Sequence, residues 1–229
     1  MCLPDGIHRR SAPGLRYVRQ DLTPDEIVHV GGLPVTSPAR TAADLARWAP
    51  SLEEAVVELD MLLEARVLEE STLPLLVEGL GARRGTRQAR PALALARRLA
   101  RSPGETRLRL TYVLGPGVPT PLINPRVRDQ LGRFLRIPDL LDCDAGVVLE
   151  HDGSSWKNSD RPDGHLDPEQ HREDNVREEW FERKGLLVLR ATRSDLARHR
   201  SGLVARMGGC DPCRGPAARA CTLDVAGRA

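Results

Sequence analysis

Carboxylates follow apolar residues at two neighbouring places in the middle of the chain. Asp139 lies inside the run at residues 137–142, and Glu150 ends the apolar run at 147–149, with Asp152 two residues further on. A buried carboxylate is costly unless it is paired or holds a metal, so packing gives a strand no reason to end in acids. Mg²⁺ takes one or two carboxylates together with water and phosphate oxygens. We therefore predict that Asp139 and Glu150 hold a magnesium ion, which would activate water for attack on a phosphodiester.

Each candidate acid also has a purely structural interpretation. Glu105 follows Ser102 at capping-box spacing, in which the glutamate stabilises the first turn of a helix. Asp139 follows a proline and fits a turn, and Asp152 precedes a glycine, which is an ordinary turn signal. Glu150 is the hardest to explain in this way because it directly follows three apolar residues. The candidates therefore rank with Glu150 and Asp139 first, Asp152 third, and Glu105 shared with a capping role.

Composition narrows the class of protein. A hydrophobic content of 40% supports a core, and because aromatic residues make up only 3%, that core must be mostly Leu, Val and Ala. A net charge of +2 neither demands nor excludes a polyanionic partner. No stretch approaches ~18 consecutive apolar residues, so no membrane span is expected. The start lacks an apolar signal-peptide core and the five cysteines form no disulfide framework, which predicts a cytoplasmic protein.

The first part of the chain, residues 1–101, is predicted to form a β-hairpin followed by a small helical unit. Residues 15–18 and 26–30 have strand composition and are expected to pair across the turn at 21–25. Three serines are predicted to cap the helices of this unit. Ser37 precedes Pro38, Ser51 forms a capping box with Glu54, and Ser71 begins a shorter helix. A basic loop at 83–87 precedes the last helix. A solvated connector is the favoured interpretation of that loop, and phosphate contact is the alternative.

A change of pattern at Ser102 marks a second domain, residues 102–200. A helix from Ser102 is followed by strands at 122–127, 133–140 and 146–150, a charged helix at 169–184, a strand at 186–190 and a short helix. This order predicts an α/β fold in which helices flank a mixed sheet. Residues 201–229 lose all periodicity and are predicted to be disordered. Their three cysteines, Cys210, Cys213 and Cys221, fall short of the four ligands of a structural zinc site.

Five sequence blocks carry a resemblance to a known family. In order they are S-P-G-E-T-R-L-R at 102–109, P-D-L at 138–140, L-E-H-D-G at 149–153, R-E-D-N-V-R at 172–177 and G-L-L-V-L-R at 185–190. Together they resemble the endonuclease-like domain related to very-short-patch-repair enzymes, in the PD-(D/E)XK, or restriction-endonuclease-like, superfamily. The resemblance covers about residues 102–198. It implies a restriction-endonuclease-like fold, magnesium as cofactor, and hydrolysis of DNA phosphodiester bonds in repair or phage defence.

The resemblance also assigns roles to single residues. Asp139 and Glu150 match the metal-binding carboxylates, and Glu105 matches the acid of the first helix. Asp152 stands where many superfamily members have the lysine of the E-x-K half-motif, although E-x-D is frequent in this branch. Asp174 and Arg177 match the charged pair of the family's second helix, where the resemblance implies that Arg177 would contact DNA phosphate.

A non-catalytic function is the competing hypothesis. Asp152 cannot supply the positive charge of the missing lysine, and Trp156 occupies the region in which relatives commonly have a histidine. Upstream, residues 32–46 resemble a segment of proteins related to AbiEi-type antitoxins. These features favour a nuclease-fold protein that binds DNA, or a cognate toxin or antitoxin, and regulates without cutting.

Overall fold

The computed structural model of the chain describes residues 2–3, 10, 13–14, 17–20, 22–128, 131–152, 179–208 and 224–226. Two short strands, β1 (Cys2–Leu3) and β2 (Val18–Arg19), pair in parallel near the start. A helical unit follows, and then a mixed β-sheet with helices packed on it. The predicted α/β class is therefore confirmed. None of the helices in these described ranges is both long enough and apolar enough to cross a membrane.

Two glycines decide how the first hairpin pairs. Strand β3 (Ile27–Val30) runs antiparallel to β4 (Leu33–Thr36) across Gly31 and Gly32. The φ angles of the two glycines are 57° and 80°, which are the left-handed values of a two-residue hairpin loop. The predicted pairing of residues 26–30 with residues 15–18 is wrong for the described residues, because β3 pairs only with β4 in a two-stranded sheet and Val18 pairs with β1.

The helical unit contains four helices that surround one apolar cluster. They are α1 (Pro38–Trp48), α2 (Leu52–Glu64), α3 (Leu73–Gly79) and α4 (Thr86–Leu95). Ser37 and Ser51 accept hydrogen bonds from backbone N–H groups in the first turns of α1 and α2, as their sequence positions predict. The apolar cluster itself consists of alanine, valine and leucine side chains.

Helix α5 (Pro103–Leu114) connects this unit to the sheet. Its Leu110 packs into the helical cluster, whereas Leu108 and Tyr112 pack into the cluster beside the sheet. The domain boundary predicted between residues 101 and 102 thus falls just before a helix that both hydrophobic cores share.

The central sheet has four strands in the order β10, β9, β8, β5. These are β5 (Leu122–Ile123), β8 (Leu140–Asp142), β9 (Val147–Asp152) and β10 (Leu187–Thr192). Strand β10 runs parallel to β9, while β8 is antiparallel to both β9 and β5. Helix α5 contacts one face, together with α7 (Arg193–Ala197) and α8 (Arg200–Gly208). Phe181, in the described residues 179–183 of helix α6, packs on the other face.

Proline interrupts two segments that were predicted as continuous strands. The first splits before Pro125 into β5 and β6 (Arg126–Arg128), and the second splits around Pro138 into β7 (Phe134–Arg136) and β8. Proline has no N–H to donate to a sheet, so each strand pauses there. Strands β6 and β7 then pair with each other in a separate antiparallel sheet.

Part of the predicted disordered tail is ordered. Helix α8 extends to Gly208 and buries Leu203 and Met207, which lie four residues apart on one helical face. Strand β11 (Asp224–Ala226) pairs antiparallel with β6. The prediction of disorder for residues 201–229 is therefore wrong for these two segments. Each segment is too short for its apolar residues to form a recognisable periodic pattern in the sequence.

Candidate functional site

The pairing of β8 with β9 determines how the two leading acids are placed. Leu140 pairs with Leu149 in this antiparallel ladder. Extending the register by one residue sets Asp139 opposite Glu150. The backbone N–H of His151 donates a 2.7 Å hydrogen bond to Oδ2 of Asp139, which holds the carboxylate at the end of β9. The register therefore places the two predicted acids at facing positions of neighbouring strands.

The alternation of side chains along a strand shows on which face of the sheet each acid lies. Side chains of a strand point to opposite faces in turn, and paired residues share a face. Val148 belongs to the cluster that contains Phe181, so Glu150 lies on that side of the sheet, whereas Asp152, the last residue of β9, reaches the cavity on the α5 side. Both acids are half-buried. On the neighbouring strand β10, Arg190 is in register with Glu150, so a cation stands beside this carboxylate.

Glu105 has a structural role that its capping position predicts. Its Oε1 accepts a hydrogen bond from the Ser102 hydroxyl at 3.1 Å. Its Oε2 accepts from the Arg101 N–H at 2.9 Å and from the Asn124 side-chain amide at 2.7 Å. Glu105 is only 8% exposed. The residue is thus buried while its carboxylate oxygens hold the start of α5.

Asn124 links the helix acid to the strand acid. Its side chain donates to Glu105, and its backbone N–H donates to the carbonyl oxygen of Asp139 at 2.8 Å. The residue adopts a φ of 45°, a left-handed conformation that asparagine tolerates better than most side chains. Sequence analysis missed Asn124, although its position before Pro125 is a recognised turn signal.

His151 is a second residue that sequence analysis did not name as part of the site. Its imidazole lies so close to Gly104 that a Cβ added there would overlap the ring. Burial lowers the pKa of His151 below its ordinary 6.5, and the charges of Glu105 and Asp152 oppose this effect. The lowered pKa favours a neutral ring between the first turn of α5 and the end of β9.

A cavity of about 1000 Å³ opens beside these residues. Its walls come from the first turns of α2 and α5, the end of β9, helix α7 and the start of α8. The charged and titratable side chains that line it are Glu53, Glu54, Arg107, His151, Asp152, Arg193 and Arg200. The cavity is large enough for a nucleotide-sized group and lies on the α5 side of the sheet, and its lining residues include neither Asp139 nor Glu150.

The donor set limits the metal that the site could take. Among the described residues, no three His, Cys, Asp or Glu side chains are grouped so as to hold a metal ion. A pair of carboxylates, with water and phosphate completing the shell, is nevertheless what magnesium requires. The opposed pair Asp139 and Glu150 fits that requirement, whereas Glu105 is occupied by its hydrogen bonds.

Several predicted residues fall outside the described part of the chain. These are Arg177 with its neighbour Asp174, Trp156, and the cysteines Cys210, Cys213 and Cys221.

Comparisons with known proteins identify no relative. No protein-family model matches the chain, and neither a curated protein nor a solved structure does so.

Proposed function

We propose that this chain is a magnesium-dependent DNA endonuclease of the restriction-endonuclease-like type. The observation that supports this most directly is the register that sets Asp139 opposite Glu150 at the end of a mixed sheet. The order of the five sequence blocks agrees with it. On this proposal the protein acts on DNA in the cytoplasm, in repair or in phage defence.

The side chains would divide the work as follows. Asp139 and Glu150 would hold the magnesium ion, which neutralises charge on the scissile phosphate and activates the attacking water when bound. The backbone N–H of His151 keeps the Asp139 carboxylate oriented through its 2.7 Å hydrogen bond. Arg190, beside Glu150 in register, offers the positive charge that Asp152 cannot. Glu105 positions the start of α5 through its hydrogen bonds.

Plasmid cleavage with magnesium tests the proposal. We expect wild type to nick supercoiled DNA, and we expect Asp139→Asn and Glu150→Gln each to lower the rate by about 100-fold or more, as loss of a group that stabilises the transition state does. Asp144→Asn is the matched control, because Asp144 is an exposed acid in the turn between β8 and β9. Magnesium titration by calorimetry should show weaker binding in the two site variants only. Equal nicking by all four proteins, or none by wild type with any divalent metal, would refute the proposal.

A non-catalytic DNA-binding or toxin–antitoxin regulatory function is the second candidate. Asp152 in place of the lysine, and the lack of a three-ligand group among the described residues, both favour it. It predicts salt-dependent DNA binding that Glu150→Gln leaves unchanged, with no cleavage. Electrophoretic mobility shifts at low and high salt would separate the two functions. Failure of wild type to bind DNA even at low salt would exclude this version.

A further inference from the structure

Two kinds of ion pair join α2 to α5. Asp60 and Arg109 form one that is sealed from water, with 0% and 1% of their side chains exposed and 2.8 Å between charged atoms. The other kind lies at the wall of the cavity and is partly exposed. There Arg107 of α5, whose side chain is 29% exposed, meets Glu53 and Glu54 in the first turn of α2.

Two of the arginines that line the cavity, Arg107 and Arg200, are paired with these two glutamates. The Arg107 Nη2 donates to both carboxylate oxygens of Glu54, at 2.8 and 3.1 Å. Its Nε lies 3.4 Å from Glu53, whose other oxygen is 2.5 Å from Nη1 of Arg200. Both hydrogen bonds to Glu54 leave from one guanidinium nitrogen, so the contact is a shared one and not the parallel two-nitrogen pairing of a bidentate salt bridge. Arginine pairs with phosphate oxygens as it does with carboxylate oxygens. The two glutamates therefore hold guanidinium groups to which a phosphate would otherwise bind.

The exposed ion pairs at the cavity are weak enough to be replaced by other partners of the same arginines. A partly exposed ion pair contributes little stability, because water and salt screen it. Breaking the buried Asp60–Arg109 pair would instead leave a charge without solvation, which is far more costly. The buried pair thus fixes α2 against α5, while the exposed pairs can open without separating the two helices.

We propose that Glu53 and Glu54 are an autoinhibitory phosphate mimic, which the backbone of DNA must displace from Arg107 and Arg200 to enter the cavity. The inference rests on the proposed function only for the identity of the polyanion. It assigns the helical unit a regulatory role, since the acids that block the cavity come from α2 and the arginines from the sheet domain.

Fluorescence anisotropy with a labelled duplex tests this on the full chain. We expect Glu53→Gln/Glu54→Gln to bind DNA about two- to tenfold more tightly than wild type, because each exposed pair that no longer competes is worth a few tenths to 1 kcal/mol. Two freed arginines should also steepen the slope of log affinity against log salt by about 2. Adding Arg107→Gln to that variant should remove most of the gain.

The matched control is Glu64→Gln/Glu69→Gln. It removes the same two charges from the far end of α2 and the loop after it, away from the cavity. Equal affinity of the two double variants would overturn the inference, because the gain would then follow net charge alone. Absence of DNA binding by every variant would overturn it too. Tighter binding by the Glu53→Gln/Glu54→Gln variant with no cleavage by wild type would sustain the inference while the endonuclease proposal failed. Thermal melting confirms that each variant is folded.

Discussion

Glu58 lies one helical turn after Glu54 on α2, and the two negative charges repel each other. Burial raises the pKa of Glu58 above its ordinary 4.5, and the charge of Glu54 adds to the increase. The salt bridges of Glu54 and Glu53 draw arginines toward the cavity and not toward Glu58. Glu58 is therefore a titratable residue whose ionisation opposes folding.

This predicts a pH-dependent gain for Glu58→Gln. A carboxyl group with a raised folded-state pKa contributes stability below its unfolded pKa and loses it as the pH rises through the folded value. At pH 7 we expect the free energy of unfolding of the variant to exceed that of wild type by about 0.2–0.5 kcal/mol. This is the size of the repulsion between like charges four residues apart on a helix. Near pH 4 the advantage should vanish. Urea denaturation at the two pH values measures it, and an equal difference from wild type at both pH values would contradict the prediction.

At the scale of the element, the first turn of helix α5 packs against the end of strand β9. Ser102 caps it, Glu105 holds that cap from inside the helix, and Gly104 makes room for the His151 ring. A side chain at Gly104 would collide with the imidazole. The start of the helix and the end of β9 therefore have to fit together.

Gly104→Ala should accordingly be destabilising although alanine is the better helix former. The added methyl must displace the ring, and such overpacking costs about 1–3 kcal/mol. Gly202→Ala in α8 is the matched control, since nothing lies within 4 Å of the Cβ that it would gain. There we expect about 0.4–1 kcal/mol of added stability. Chemical denaturation compares the two, and a stabilised Gly104→Ala would show that the ring can move at little cost.

Short-range features of these elements could be predicted and long-range ones could not. Ser37, Ser51 and Ser102 cap helices as expected, because a cap depends on residues within one turn. Asp139 and Glu150 were found because a charge at the end of an apolar run is conspicuous. Their register was not predictable, since strand pairing depends on residues far apart in sequence. The environment of His151 has no sequence signature at all, because Gly104 lies 47 positions earlier.

At the scale of the whole molecule, α5 is common to both hydrophobic cores, and a buried ion pair secures it. Oδ2 of Asp60 accepts hydrogen bonds from Arg109 at 2.8 Å and from the Thr106 hydroxyl at 2.9 Å. Its Oδ1 accepts from the Arg97 backbone N–H. Burial raises the pKa of Asp60, and Arg109 is the strongest influence opposing that rise. The helical unit is thereby joined to the helix on which the sheet packs.

Asp60→Ala should therefore weaken the whole fold and not only α2. It leaves the Arg109 charge buried with the Leu95 carbonyl as its described hydrogen-bond partner, and we expect a loss of about 3–5 kcal/mol in the free energy of unfolding. The apolar double variant Asp60→Leu/Arg109→Met should lose less, because no buried charge remains. Asp25→Ala, at an exposed acid, should stay within about 0.5 kcal/mol of wild type. Urea denaturation followed by far-UV circular dichroism measures all four proteins. If Asp60→Ala lost no more than Asp25→Ala, the ion pair would not be what holds the helical unit to the sheet domain, and the apolar contacts of Leu110 would have to do so alone.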